Sequence, residues 1–296
     1  MLFDAHVHFF SRGFYRFYGE AARVPLETVA EKTGAEIPGD DDPARLVERW
    51  LSELDRNGVD RAVLIASVPG DEGSVVEAVR LHRDRLSGYF LLNPQAPDAL
   101  ERARRALDAG LSGVCLFPAM HHFYPDDDAL EPLLAELEAR GAVAFVHFGL
   151  LMVPIRERLG LPPAIDLAYS YPHRLHAPAN RHPRLAFVIP HFGCGFLTET
   201  LMLGRQAKNV YLDTSSSNSW MELFPGLELR RVFELALGSF GPMRILFGTD
   251  SSAFPRGWRR DLYERQREAL AALGLPGDEQ AAILGGNLAR LLGLAT

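Results

Sequence analysis

A (β/α)8 barrel, the TIM-barrel class of α/β fold, is the architecture that the sequence predicts. Short β-rich runs alternate with amphipathic helical patterns along the whole chain, and eight such strands can be counted. No Gly-rich phosphate-binding turn follows the first strand, which argues against the alternative of an open doubly wound sheet. The length of 296 residues fits one barrel, so we expect a single domain over residues 1–296.

The composition excludes several classes of protein. Hydrophobic residues make up 47% and charged residues 23%, which is ordinary for a globular chain. A net charge of −7 and a pI of about 5.8 provide no basic field, so we expect no nucleic-acid partner. No apolar run is long enough to span a bilayer, and the first strand leaves no room for a signal peptide, so we expect no membrane partner and a cytoplasmic location. The two cysteines, Cys115 and Cys194, fit a reducing compartment without a disulfide framework.

The first strand, which begins at residue 2, ends in two histidines. Strand side chains alternate with period 2, so His6 and His8 should share one face, with Ala5 and Val7 on the other. Neutral imidazole is the commonest protein ligand for zinc, and catalytic zinc has about three protein ligands. The pair predicts half of a metal site, whose other ligands must come from later strands.

The following elements build the first half of the predicted barrel. A long aromatic-rich insertion, residues 9–42, follows strand one. Asp42 as N-cap and Pro43 at the first position start the next helix. The later elements of this half are strand 62–66, helix 73–84, strand 88–92, helix 97–109, strand 113–117, helix 128–140 and strand 142–147.

A second long insertion, residues 148–184, follows strand five and opens the other half of the barrel. The remaining elements are strand 185–191, helix 196–207, strand 210–213, helix 228–238, strand 244–250 and helices 258–273, 278–284 and 286–293.

Five candidate ligands or bases fall at strand ends in this scheme: His6, His8, His147, His191 and Asp250. Active sites of barrels are built at the carboxyl ends of the strands, so all five should meet on one rim. A single strand-end histidine is more often a satisfied polar core residue, and Asp250 alone could cap a helix. Their coincidence on one rim is better explained by a cation among them.

The motifs that carry these residues resemble a known family. They are Asp4-Ala5-His6-Val7-His8, Val146-His147, Pro190-His191-Phe192-Gly193, Phe247-Gly248-Thr249-Asp250 and the terminal segment 283–292. Together they resemble the amidohydrolase superfamily, and most of all the amidohydrolase 2 branch, which includes the aminocarboxymuconate-semialdehyde decarboxylase-like enzymes. The resemblance covers nearly the whole chain.

The resemblance implies one divalent metal ion, held by His6, His8, His147 and Asp250. Zn²⁺ is the first expectation, with Mn²⁺, Co²⁺ or Fe²⁺ as alternatives. His191 would lie beside the metal as the residue that orients or deprotonates a water molecule. Binuclear relatives carry a carboxylated lysine on strand four, and strand 113–117 has no lysine, which favours a single metal. Cys115 on that strand could be a soft ligand, but a small core side chain is the better interpretation.

Three functions remain open at this point. The first is a metal-dependent hydrolase that acts on an amide, ester or lactone of a small, carboxylate-bearing substrate, with His191 and Asp250 as catalytic residues. The alternative is a non-oxidative decarboxylase of an unsaturated or aromatic carboxylic acid. The third is a barrel that binds a metal or ligand without turnover. His191 argues against it, because a structural zinc site needs no extra base.

Substrate recognition should come from residues near the barrel mouth. The candidate substrate-binding residues are Phe10, Arg12, His121, Arg174 and Trp220. Aromatic walls with a few arginines suit a flat or unsaturated carboxylate. The alternative is that the aromatic residues pack the insertions onto the barrel or onto a second copy in a homodimer. Arg12 or Arg174 directed at the metal would favour decarboxylation, and an apolar, open cavity floor would disfavour it.

Overall fold

The computed structural model describes residues 1–215 and 220–295. Eight parallel strands form one sheet in which each strand pairs with the next in the chain. The strands are β1 Phe3–His8, β2 Arg61–Ala66, β3 Leu86–Leu91, β4 Gly113–Leu116, β5 Val143–Val146, β6 Ala186–Ile189, β7 Val210–Asp213 and β8 Ile245–Leu246. The amides of Ala5 and His8 donate to the carbonyls of Phe247 and Ser251, at 2.9 and 2.7 Å, and so close the sheet. The predicted (β/α)8 barrel is confirmed.

Fourteen α-helical segments surround or cover the barrel within the described residues. They are α1 Arg12–Ala22, α2 Leu26–Thr33, α3 Ala44–Arg56, α4 Glu72–Leu81, α5 Ala99–Asp108, α6 Pro118–His121, α7 Glu131–Arg140, α8 Pro154–Arg158, α9 His176–Arg181, α10 Leu197–Gln206, α11 Leu229–Phe240, α12 Arg260–Ala272, α13 Gly277–Ala281 and α14 Asn287–Leu291. Segment 9–42 contains α1 and α2, and segment 148–184 contains α8 and α9. None of the described helices is both long and apolar enough to cross a membrane.

The predicted start of α3 is wrong by one residue. Pro43 is the N-cap rather than the first helical residue, and the carboxylate of Asp42 accepts a hydrogen bond from the Ala44 amide at 3.0 Å. The shift is small because Asp42 still satisfies one of the unpaired amides at the helix start.

The core has two layers that follow the alternation of the strands. Alternate residues such as Ile65, Leu91, Cys115 and Phe145 form a cluster inside the barrel. Their neighbours along each strand form a larger cluster between the barrel and the helices. Cys115 is therefore a fully buried core side chain, as predicted, and Cys115 and Cys194 do not form a disulfide.

A bulge in β1 changes which side chains face the barrel interior. The pairing with β2 shifts register between Asp4 and Val7. Ala5 belongs to the interior cluster, whereas Val7 packs in the outer one. The prediction that Ala5 and Val7 share a face is therefore wrong, because the bulge adds one residue and inverts the alternation.

Strand eight is much shorter than the predicted 244–250. Only Ile245–Leu246 pairs with β7, because the chain then turns to bind Asp4. The amide and hydroxyl of Thr249 both donate to the Asp4 carboxylate, at 3.1 and 2.5 Å. Asp250 follows with a φ of 56°, so its side chain leaves the strand geometry and turns into the barrel mouth.

Candidate metal centre

Three potential ligand atoms converge at the carboxyl end of β1. The Nε2 atoms of His6 and His8 lie 3.3 Å apart. Oδ1 of Asp250 lies 3.0 Å from Nε2 of His8 and 3.5 Å from Nε2 of His6. Two imidazole nitrogens and one carboxylate oxygen at such spacing form a group that could hold one metal ion.

The other ring nitrogen of each of these histidines is fixed by a hydrogen bond. Nδ1 of His6 lies 3.3 Å from Oδ2 of Asp213 and 3.0 Å from the hydroxyl of Ser215. Nδ1 of His8 lies 2.6 Å from the hydroxyl of Ser67, which itself donates to the Ile65 carbonyl. These bonds place the protons on Nδ1 and leave the two Nε2 lone pairs directed at Asp250, the arrangement that metal-binding histidines commonly show.

His147 and His191 complete the ring of polar side chains. Both are buried, and their ring centroids are 5.1 Å apart; the centroids of His6 and His191 are 5.0 Å apart. Neither ring nitrogen of His147 has a hydrogen-bond partner within residues 1–215 and 220–295. Buried polar atoms are nearly always satisfied, and a ligand role for His147 would satisfy one of these two nitrogens.

A second set of potential ligands, formed by His6, His191 and Asp213, is better explained as a hydrogen-bond network. The hydroxyl of Ser215 donates to Asp213 and lies 3.0 Å from Nδ1 of both histidines. It therefore fills the space between the three side chains. These residues hold His6 and His191 in place through hydrogen bonds, and we do not interpret them as a second metal site.

The electrostatic state of the residues suits a cation. Burial opposes ionisation of Asp250, but the charges of His6 and His8 hold the pKa of its carboxyl far below the usual range. Burial lowers the pKa of His147 well below its ordinary value, and it also lowers the pKa of His191. Burial also disfavours charge on His6, yet Asp213 and Asp250 outweigh it and raise the pKa of His6. At neutral pH the site thus offers ionised Asp250 with neutral His147 and His191.

The candidate metal centre lies in a cavity of about 710 Å³ at the barrel mouth. All five predicted rim residues, His6, His8, His147, His191 and Asp250, line this cavity. The floor around them is apolar and includes Ile65, Leu91 and Phe117, the uppermost side chains of the interior cluster. Residues of α1, α8 and segment 150–155 form the walls.

Of the predicted substrate-binding residues, only Phe10 lines the cavity. Arg12 donates to the Pro38 carbonyl at 2.7 Å, and Arg174 pairs with Asp126 at 2.7 Å. His121 is a partly buried residue at the end of α6, and Trp220 is fully buried. None of these four contributes to the cavity surface, so the structure does not place them near the metal centre.

Three supporting residues were missed by the sequence analysis: Asp213, Ser215 and Ser67. Asp213 is the last residue of β7, so the strand-end rule that selected the histidines could also have selected it. Ser215 and Ser67 lie two residues beyond interior positions of β7 and β2, but serine is too common in loops to carry a signal.

Gly248 allows Asp213 to lie behind His6. A Cβ atom on Gly248 would lie 2.8 Å from Oδ2 of Asp213, which is closer than real Cβ contacts. The absence of a side chain at this position is thus a requirement of the site.

Comparison with solved structures supports the fold. The chain is similar to 5-carboxyvanillate decarboxylase from Sphingomonas paucimobilis, with 18% identity, 99% of each chain covered and a TM-score of 0.67. It is also similar to a probable 2-pyrone-4,6-dicarboxylic acid hydrolase from Acinetobacter baumannii with citric acid bound. That structure is 17% identical in sequence, 99% of each chain is covered, and the TM-score is 0.62. A third similar structure is an amidohydrolase from Burkholderia multivorans with bound zinc. Its sequence identity is 17%, 100% of each chain is covered, and the TM-score is 0.67. No curated protein matches the sequence significantly.

A sequence profile identifies the family. The profile described as Amidohydrolase, that of the amidohydrolase 2 branch, matches residues 3–294, which is almost the entire chain. The match includes every residue of the metal centre and both ends of the barrel. The chain belongs to the amidohydrolase family.

Proposed function

We propose that this protein is a metal-dependent hydrolase that acts on an amide, ester or lactone of a small, carboxylate-bearing substrate. The observation that carries the proposal is the convergence of His6 Nε2, His8 Nε2 and Asp250 Oδ1 beside His191 in a cavity. A non-catalytic binding site would not need a neutral buried histidine beside a full ligand set.

The residues present fit one divalent ion. His6, His8, His147 and Asp250 would hold it, and this role would satisfy a ring nitrogen of His147. Nitrogen and carboxylate ligands suit Zn²⁺, with Mn²⁺, Co²⁺ or Fe²⁺ as alternatives. When bound, such an ion polarises a carbonyl group and makes water acidic enough to lose a proton near neutral pH.

His191 would act as the base toward the attacking water. Its Nδ1 lies 2.9 Å from the carbonyl oxygen of Ser215, an acceptor, so Nδ1 carries the ring proton. Nε2 then holds a lone pair, and burial keeps the ring neutral by lowering its pKa. Asp250, which is ionised, would assist proton transfer to the leaving group.

Non-oxidative decarboxylation is the second candidate, and the likeness to 5-carboxyvanillate decarboxylase favours it. Two observations weigh against it. The arginines considered for this role, Arg12 and Arg174, are bound to Pro38 and Asp126 and do not line the cavity. The cavity floor is apolar.

Elemental analysis together with two assays tests the proposal. Purified wild type should hold about one divalent ion per chain. His6→Ala should lose it, whereas His176→Ala should keep it, because His176 is exposed and outside the cavity. Hydrolysis and carbon dioxide release are then measured on unsaturated carboxylates, lactones and esters. Hydrolysis supports the first candidate and carbon dioxide release the second; no bound metal after repletion contradicts both.

A further inference from the structure

The walls of the cavity are apolar well beyond the metal centre. Phe14, Tyr15 and Tyr18 on α1 are buried and line one side. Phe10 stacks face to face on Phe14, with ring centroids 3.7 Å apart and planes inclined by 5°. The ring centroid of Phe10 also lies 5.5 Å from that of His8 and 6.2 Å from that of Tyr15. An aromatic wall thus runs without interruption from the metal centre along α1.

The rest of the cavity lining is also largely apolar. It includes residues 150–155, of which Val153 and Ile155 pack in the same cluster as Phe14 and Tyr15, together with Phe254 and Pro255. A volume of about 710 Å³ lies in the upper part of the range of roughly 300–1,000 Å³ that small-molecule pockets span. The cavity therefore suits a substrate with a substantial apolar body.

Positive side chains are confined to the cavity mouth. Among the described residues that line the cavity, the only arginines or lysines are Arg158 and Arg256, and both are exposed. A carboxylate held against the apolar lining would have no cationic partner other than the metal centre, and burial of an unpaired charge is costly. A carboxylate of the substrate must therefore lie at the mouth.

Arg256 is the better placed of the two arginines. Arg158 donates to the Thr33 carbonyl at 2.5 Å and so joins α8 to α2. Arg256 donates to the Ser252 hydroxyl within its own loop, at 2.7 Å. Arg256 follows Asp250 by six positions on the same loop, and both residues line the cavity.

We infer that the substrate has an extended apolar body and a single carboxylate remote from its reacting carbonyl. The body contacts the apolar lining that α1 and residues 150–155 form, and the carboxylate contacts Arg256 at the mouth. The inference rests on the proposed function, since it places the reacting carbonyl at the metal centre. It excludes short diacids, whose second carboxylate would lie against the apolar lining.

Hydroxamates of graded length test the inference by calorimetry on the zinc-loaded protein. The hydroxamate group is common to all probes and binds the metal. From acetohydroxamate to octanohydroxamate, each added methylene should tighten Kd by up to about fourfold, the equivalent of ~0.8 kcal/mol. Succinic monohydroxamate should bind more weakly than butanohydroxamate, because its carboxylate would be buried without a partner.

Variants with matched controls locate the two contacts. Phe14→Leu should weaken octanohydroxamate but not acetohydroxamate, whereas Phe17→Leu should change neither, because Phe17 is exposed on the same helix. Arg256→Gln should weaken suberic monohydroxamate but not octanohydroxamate. Arg259→Gln is its control, since Arg259 pairs with Asp261 and lies outside the cavity lining.

The outcomes separate the inference from the proposed function. If acetohydroxamate binds but affinity does not rise with chain length, or succinic monohydroxamate binds more tightly than butanohydroxamate, the inference is wrong and the metal centre stands. If Arg256→Gln binds suberic monohydroxamate as tightly as wild type does, the carboxylate does not contact Arg256, and that part of the inference is wrong. If the protein retains no zinc, or acetohydroxamate does not bind the loaded protein, the proposed function itself fails.

Discussion

The Nδ1 atom of His191 lies 2.9 Å from the carbonyl oxygen of Ser215. A backbone carbonyl can only accept, so this contact determines which nitrogen of the ring carries the proton. His191→Asn should therefore lower kcat/KM by about 10²- to 10⁴-fold, the usual contribution of a general base, while the metal content stays unchanged. Steady-state kinetics and elemental analysis on the same preparation check this. Loss of the metal in this variant would instead identify His191 as a ligand.

Asp213 accepts from His6 and should control metal affinity without touching the metal. Its pKa is lowered, because His6 outweighs the effect of burial, so it is ionised at neutral pH. Asp213→Asn should weaken metal binding by about 10- to 100-fold, as is usual for residues that support a metal ligand. Competition with a chelator measures this affinity. Asp261→Asn, at an exposed ion pair with Arg259, should leave it unchanged.

Gly248→Ala should have the same effect by a steric route. The new methyl group would lie 2.8 Å from Oδ2 of Asp213 and would push the carboxylate away from His6. Metal affinity should fall by about tenfold or more. Gly238→Ala is the control: no atom lies within 4 Å of its Cβ, and in α11 it should stabilise the fold by about 0.5–1 kcal/mol. Equal affinities of wild type and Gly248→Ala would mean that Asp213 is not needed.

The stability of the fold should depend on Asp71, which lies under the start of α1. Both of its carboxylate oxygens accept from the Ser11 hydroxyl, at 2.8 Å, and Ser11 caps α1. Burial raises the pKa of Asp71 from 3.8 to about 6. The folded state therefore holds the proton of Asp71 more tightly than the unfolded state does. The protonated carboxyl contributes to the free energy of unfolding below pH 3.8, and this contribution is lost as the pH rises through about 6.

Urea unfolding of wild type and Asp71→Asn at pH 4 and pH 7 measures this contribution. Between the two pH values, wild type should lose about 2 kcal/mol of unfolding free energy relative to the variant. The variant is the control, because it keeps every other titrating group. A difference that does not change with pH would show that folding does not raise the pKa of Asp71.

The convergence of the five rim residues on one cavity could be predicted because strand ends obey a simple rule. His6, His8, His147, His191 and Asp250 all follow apolar runs, and a closed barrel brings the carboxyl ends of its strands together. The partners of long side chains could not be predicted in this way. Periodicity predicts the face of a strand or helix on which a residue lies. It does not predict the hydrogen bond from Arg12 to the Pro38 carbonyl, which depends on how separate parts of segment 9–42 pack together.

The inward orientation of Ala5 shows a second limit. A bulge is a property of the hydrogen-bond register between two strands, and the sequence of one strand contains no record of it. The strand-end rule also applies to Asp213, but it does not say which residues at the rim pair, so the contact between His6 and Asp213 requires the structure.

The short β8 has a consequence for how the barrel opens. The seam between β1 and the chain after β8 depends on the amides of Ala5 and His8, which bond to Phe247 and Ser251. His6 and His8 lie on one side of this seam and Asp250 on the other. A metal ion bound by residues on both sides would stabilise the closed form of this seam. Hydrogen exchange at these two amides should therefore slow when the site is filled. Occupancy of the site should therefore stabilise the closed barrel, and the exchange rates of these two amides measure that stabilisation.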